Sequence, residues 1–224
     1  MPCLLKRPGP NSPGIITFTQ NEALWGVPAT SKNARAFVER AEPLIARSDV
    51  VLSVLEIPVE AACAAMELGR KHGVRTVLNP APAAAIPKDA FRSIDLLTPN
   101  ETELRILLRL EPDDPTPTVE LASQLQREYG TTVIVTRGEE GSLLSTNEHS
   151  REFPAVPVKV VDTTGAGDAF TAALAVALAE GKDIATALRF ASCSGAFACT
   201  RLGVIPSLGH RTQINKLFDQ HFTH

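Results

Sequence analysis

The sequence predicts an α/β fold built around a mostly parallel sheet. Three observations carry that expectation. From residue 48 onward, short β-branched apolar runs alternate with helical stretches, the pattern of successive βαβ units. The helical stretches are rich in alanine, which suits close packing of helix on sheet. Asn79, Asn100, Thr136 and Asp162 fall at predicted strand ends, and parallel sheets bind ligands beyond those ends.

The elements follow in order. Residues 15–19 read as a first strand and 31–46 as a helix. Residues 49–55 (DVVLSVL) form a β-branched run of the buried-strand type. Residues 58–72 read as an Ala-rich helix, opened by Pro58 and closed by Gly73. Strands are expected at 74–78 and 94–97, the first ending in Asn79-Pro80-Ala81-Pro82 and the second in Thr98-Pro99-Asn100. A helix over 101–110 stops at the proline-rich EPDDPTPT. A helix over 119–129 and a strand over 132–136 (TVIVT) come next. Residues 142–145 and 153–161 read as strands of a meander. Helices over 168–180, 183–199 and 211–219 complete the chain. The first 14 residues, rich in Pro, Gly and basic side chains, read as an irregular N-terminus ahead of one domain over 15–224.

Composition excludes several classes. The chain has 224 residues, with 22 basic against 25 acidic side chains, a net charge of −3. A nucleic-acid footprint needs a concentrated basic excess, so none is expected. The uncharged apolar run from Ala169 to Ala179 has 11 residues, too short to cross a bilayer, so no membrane partner is expected. Four cysteines without a CxxC pair argue against a zinc site or disulfide framework and for a reducing, cytoplasmic setting. The five histidines lack ligand spacing and read as surface residues. Cys193 and Cys199 read as core packing.

The sharpest local signal is Asp162-Thr-Thr-Gly-Ala-Gly-Asp168, between a predicted strand and an Ala-rich helix. Gly165 and Gly167 leave backbone N–H groups unobstructed, and the helix start adds its own unpaired N–H groups and positive dipole end. Together they make a site for an oxyanion or phosphate. Asp168 beside it could take a proton from a hydroxyl. The plainer reading is a turn followed by a helix-terminal acid. The segment is neither a Walker A loop nor GxGxxG.

Asn100 and Glu103 have N-x-x-E spacing at a helix start. A carboxylate there could hold a hydrated Mg²⁺, which keeps most of its waters; a capping box is the simpler reading. Thr136-Arg137-Gly138-Glu139-Glu140-Gly141 is a strand end with two glycines, able to bring backbone near a nucleotide or to form a plain hairpin turn. The turn 200–207 (TRLGVIPS) offers carbonyls to a monovalent cation or is an ordinary loop.

In this order the motifs resemble the PfkB carbohydrate kinase family, its ribokinase branch most closely. DTTGAGDAF is similar to the family's C-terminal signature and TPNETE to its N-x-x-E motif. NPAPA and LEIP (residues 55–58) resemble that branch in particular, and VTRGEEG and TRLGVIPS fall where its members carry nucleotide and cation loops. The likeness runs from about Ile15 to the C-terminus. It implies a ribokinase-like three-layer sandwich with a mostly parallel central sheet, and ATP-dependent phosphorylation of D-ribose at O5.

Under this resemblance Asp168 is the base, and the N–H groups of Gly165, Ala166 and Gly167 form the anion hole. Asn100, residues Thr136, Arg137, Gly138, Glu139, Glu140 and Gly141, and Gly167 and Asp168 lie along ATP. Ser192 stands where relatives often carry Asn or His near the adenine. Glu56 and Asp168 contact the sugar. Glu103 organises Mg²⁺ through water, and Asp162, Thr164, Ala198, Arg201, Gly203 and Ser207 hold K⁺. A homodimer is a further implication, as is a cytoplasmic location, or a nuclear one in a eukaryote. Residues 1–30 do not match the family's N-terminal strands, β-lid and Gly-rich sugar motif; only Asn21 is placed to correspond to an asparagine there. The expectation is therefore a chain lacking that segment. Another PfkB sugar or nucleoside kinase, or a shortened chain that binds nucleotide without turnover, remain open.

Overall fold

The computed structural model describes Cys3–Leu4, Ile15–Phe18 and residues 34–222. Asn21 and the start of the expected 31–46 helix lie outside the described residues. The chain divides into two compact units, Met1–Val135 with Leu143–Arg151, and Thr136–Ser142 with Glu152–His224.

The first unit is built on the sheet. Its strands are β1 (Cys3–Leu4), β2 (Ile15–Phe18), β3 (Val50–Val54), β4 (Arg75–Asn79), β5 (Leu96–Leu97), β6 (Thr132–Thr136), β7 (Ser142–Ser145) and β8 (Ser150–Phe153), with the last residues of β6 and β8 and the first of β7 falling to the second unit. They lie side by side in chain order. β1 pairs antiparallel with β2, and β2 through β6 are parallel. Each parallel strand is added on the same side, so right-handed crossovers put the connecting helices on one face.

Those helices are α1 (Ala34–Arg40), α2 (Glu42–Ile45), α3 (Val59–Lys71), α4 (Glu101–Leu107) and α5 (Thr118–Tyr129), with a 3₁₀ helix over Lys88–Ser93. Ile45, Met66, Leu104, Leu121 and Leu125 from them pack with Val51, Leu97 and Val133 of the sheet in one core. Val50, Leu52, Val77 and Ile134 alternate with those strand residues and are buried too, which is why the strands read as continuous apolar runs. α3 shows how directly sequence makes structure here. Pro58 precedes it, Ala61 to Met66 are buried, and basic Arg70 and Lys71 stand in its last turn against the dipole.

The second unit carries α6 (Ala166–Ala179), α7 (Ile184–Ala198), α8 (Val204–Ser207) and α9 (Arg211–Phe222). Asp183 caps α7 by accepting from the Thr186 N–H at 3.0 Å. Cys193, Ile214, Phe190, Phe197 and Phe218 join α7 and α9 in a small core. Arg211 donates to both carboxylate oxygens of Glu180, at 2.7 and 2.6 Å.

Several expectations are corrected. The 31–46 helix is interrupted at Ala41, where Pro43 opens a new helical turn. Residues 153–161 are not a strand: β8 ends at Phe153 and no regular structure follows until α6. Pro154 and Pro157 remove ladder donors there, so Asp162 does not close a strand. The helix expected from 168 begins at Ala166. The 101–110 helix stops at Leu107, and Arg109 takes a positive φ of 61°. The strand expected at 94–97 is only Leu96–Leu97, and the 200–207 turn contains α8. Cys3–Leu4 adds a strand ahead of the one expected at 15.

Candidate active site

In the first unit, neighbouring strands β3, β4 and β5 deliver candidate residues at their exits. Glu56 is exposed in the turn after β3. The Leu55 N–H donates to the Ala81 carbonyl at 2.9 Å, tying this turn to the Asn79-Pro-Ala-Pro exit. Asn79 is buried. Beyond β5, Asn100 caps α4: its Oδ1 accepts from the Glu103 N–H at 2.8 Å, and Glu103 Oε2 accepts from the Asn100 N–H at 2.8 Å. The N-x-x-E pair is thus a reciprocal capping box. It fixes the position of the Glu103 carboxylate.

In the second unit, the 162–168 loop is held from three directions. The Asp162 carboxylate accepts from Thr164 Oγ1 at 2.7 Å, the Gly203 N–H at 3.0 Å and the Thr164 N–H at 3.0 Å. The Thr164 hydroxyl first, then the Gly203 and Thr164 amides, hold its pKa down to about 2. The N–H groups of Val161 and Asp162 donate to the Cys199 carbonyl at 2.8 and 3.3 Å. Gly165 then caps α6 with φ 77°, and a Cβ on it would stand 3.1 Å from Val204 Cγ1. A left-handed residue pressed against Val204 is best met by glycine.

The first turn of α6 carries the proposed chemistry. The Ala166 N–H donates to the Thr163 carbonyl at 3.2 Å, whereas those of Gly165, Gly167 and Asp168 meet no protein acceptor among the described residues. A Cβ on Gly167 would have nothing within 4 Å. Asp168 is exposed in this turn, and its carboxylate makes no hydrogen bond or ion pair among the described residues. Free N–H donors, a positive helix end and open space beside them suit an oxyanion.

The remaining residues are distributed as follows. Thr136 ends β6, and Gly138–Glu140 form a 3₁₀ turn. The Arg137 N–H donates to the Gly141 carbonyl at 2.8 Å. Ser192 is half-buried on α7. For the cation set, Asp162, Thr164 and Gly203 are brought together by the bonds above. Ala198 and Ser207 are buried, and Ser207 Oγ donates to the Val204 carbonyl at 2.6 Å. The Arg201 guanidinium lies 4.7 Å from the Phe197 ring centroid, so position 201 can offer a cation only its carbonyl. The available donors are hard oxygens, which fit K⁺. The single carboxylate that Glu103 supplies fits a Mg²⁺ that keeps its waters. Among the described residues no cluster of three or more His, Cys, Asp or Glu is placed to hold a metal directly.

Sequence reasoning missed three contributors. The Cys199 carbonyl anchors the loop, and no side-chain pattern announces a carbonyl. Gly195 lets α7 approach the Ala166 carbonyl, which a Cβ would meet at 3.2 Å; the small-residue run SCSGAFA was its only signal. Glu152 pairs with Arg137 at 3.0 Å, a contact without local signal.

Known proteins extend this picture. The ribokinase of Haemophilus influenzae is 34% identical over 199 residues, covering 89% of this chain and 65% of that protein. The deoxyribokinase of Salmonella typhi is 34% identical over 181 residues, covering 80% and 59%. The solved structure of Arabidopsis thaliana ribokinase complexed with ribose and ATP matches with a TM-score of 0.74 at 32% identity, over 80% of this chain and 59% of that one. The chain spans 59% to 65% of the length of these relatives, and it shares their ribokinase-like α/β fold. The model of the pfkB family carbohydrate kinases matches residues 11–211, and the chain belongs to that family.

Proposed function

We propose that the chain is the nucleotide-binding and catalytic part of an ATP-dependent sugar kinase that phosphorylates D-ribose at O5. The observation that carries this is the first turn of α6. Its free N–H groups surround open space at Gly167, with the exposed Asp168 carboxylate in the same turn. Asp168 takes the proton from the attacking hydroxyl. The N–H groups of Gly165 and Gly167 hold the charge that develops on the transferred phosphoryl oxygens. The Ala166 N–H contributes only on release from Thr163. Because phosphoryl transfer is mainly positioning and charge neutralisation, a rigid loop is the useful property. Asp162 supplies it by joining the 162–164 and 203 backbones.

Asn100 and the 136–141 segment bind the nucleotide, and Ser192 lies by the adenine. Glu56 binds the sugar. Glu103 would hold Mg²⁺ through water, and the bound ion would neutralise phosphate charge. Asp162, Thr164, Ala198, Arg201, Gly203 and Ser207 would hold K⁺ through their oxygens, and the cation would support the electrostatics of the anion hole. A homodimer in the cytoplasm completes the reading.

The Salmonella deoxyribokinase has the same 34% identity as the Haemophilus ribokinase, over 181 rather than 199 residues, so 2-deoxyribose is the second reading. A coupled assay of ADP release without sugar, with ribose and with 2-deoxyribose tests both. The expected result is ribose-dependent release, abolished in Asp168→Asn. Equal release with and without sugar, or full activity in Asp168→Asn, refutes it. Nucleotide binding without any turnover would favour the shortened-chain reading.

A further inference from the structure

Arg137 has an unusual place in the segment proposed to bind nucleotide. Its side chain is only 10% exposed, yet NH1 reaches Glu140 Oε2 at 3.3 Å and Glu152 Oε1 at 3.0 Å, both glutamates being more than two-thirds exposed. Nε is buried without a partner among the described residues. The backbone is knotted at the same point. The Arg137 N–H donates to the Gly141 carbonyl at 2.8 Å, and the Arg137 carbonyl accepts from the Glu140 N–H at 3.0 Å. Gly141 lies so close to the end of β8 that a Cβ would stand 2.1 Å from the Phe153 carbonyl oxygen. A guanidinium this buried, with NH1 already on two surface carboxylates, is a poor phosphate ligand. It is well made as a tie between two pieces of backbone.

We infer that the Arg137 side chain is a strut rather than a nucleotide contact: it ties the 138–140 turn to the end of β8 and so positions the segment for ATP. This rests on the nucleotide reading of residues 136–141. The cation also offsets Glu140 and Glu152, which would otherwise oppose an anionic ligand in that segment.

The test begins without nucleotide. In Arg137→Met, hydrogen exchange at the Arg137, Glu140 and Gly141 amides should accelerate about tenfold, while the β6 amides of Val133 to Val135 stay protected. If Arg137→Met fails to fold, the double variant Glu140→Ala/Glu152→Ala removes the same tie from the surface side and should loosen the same amides. Unchanged exchange in whichever variant folds overturns the strut. In the sugar-kinase assay the apparent KM for ATP should rise about fivefold with kcat nearly held, since only positioning is lost. A fall in kcat at constant KM contradicts it. If the unaltered chain binds no ATP, the nucleotide reading falls, and the exchange result still decides the strut.

Discussion

Replacing Gly167 by alanine should move stability and activity in opposite directions. Gly167 sits in the first turn of α6, and a Cβ there would meet no protein atom within 4 Å. Its φ lies outside the left-handed range, as the φ values of Gly165 and Gly141 do not. Packing and backbone geometry therefore accept alanine. Glycine in a helix costs roughly 0.5–1 kcal/mol relative to alanine through its extra freedom in the unfolded chain. Gly167→Ala should stabilise by up to that amount, raising Tm by about 2–4 °C at ~1 kcal/mol for a chain of this size. The methyl group, however, would enter the space beside the free N–H groups that are proposed to hold the transferred phosphoryl. The N–H groups themselves remain, so the loss comes from obstruction of the phosphoryl oxygens and should approach the cost of removing one such donor, about 10²–10³ in kcat. Thermal melting beside the ADP-release assay reads both effects. A variant that melts higher and turns over normally would refute the placing of the phosphoryl group at this helix end. A variant that melts several degrees lower would refute the packing side of the reasoning.

Three further outcomes follow from the same geometry. Gly141→Ala should be poorly folded in a solubility and melting assay, because its Cβ would stand 2.1 Å from the Phe153 carbonyl oxygen and 2.6 Å from the Ala155 nitrogen. Asp162→Asn should lower the urea midpoint at neutral pH and flatten its acid dependence. The folded pKa of about 2 lies below the ordinary 3.8, so the contribution is complete above about pH 4 and is lost as pH falls towards 2; an unchanged midpoint between pH 3 and 7 contradicts the clamp. Burial pushes the Cys63 thiol up to about 11 and the Cys193 thiol up to about 12, so both should resist iodoacetamide at pH 8 until urea unfolds the chain. Rapid labelling of either in the native protein would show that its site opens locally.

The parts of the molecule legible in the sequence were those set by local physics. Strands β3, β4 and β6 stand out because both of their faces are buried. The Asn100–Glu103 capping box was readable from two residues three apart, and the structure closes it with two bonds of 2.8 Å. The local pattern misleads where it meets a distant constraint. Val156, Val158 and Val160 alternate as in a strand, but Pro154 and Pro157 withhold donors from any ladder. The Ala-rich run puts the start of α6 at Asp168. The left-handed Gly165 sets it two residues earlier, moving Asp168 from the edge of the helix into its first turn. The hold of the Cys199 carbonyl on Val161 and Asp162 depends on how α7 ends beside the loop, which neither segment encodes alone.

The glycines show why motif spelling and function separate. Gly141, Gly165 and Gly167 all belong to motifs that suggest a phosphate or nucleotide, and in the sequence they are equivalent. The structure gives each a different reason. Gly141 is required by the Phe153 carbonyl and Gly165 by its positive φ and by Val204; both would be glycine in a protein with this backbone and no ligand. Gly167 is required by nothing in the fold, and helix propensity disfavours it there. Under the proposed function, that cost is offset by the phosphoryl group that the free N–H groups beside Gly167 would hold. Gly167, more than the aspartate next to it, is therefore the position at which the reading of α6 as a phosphoryl site stands or falls.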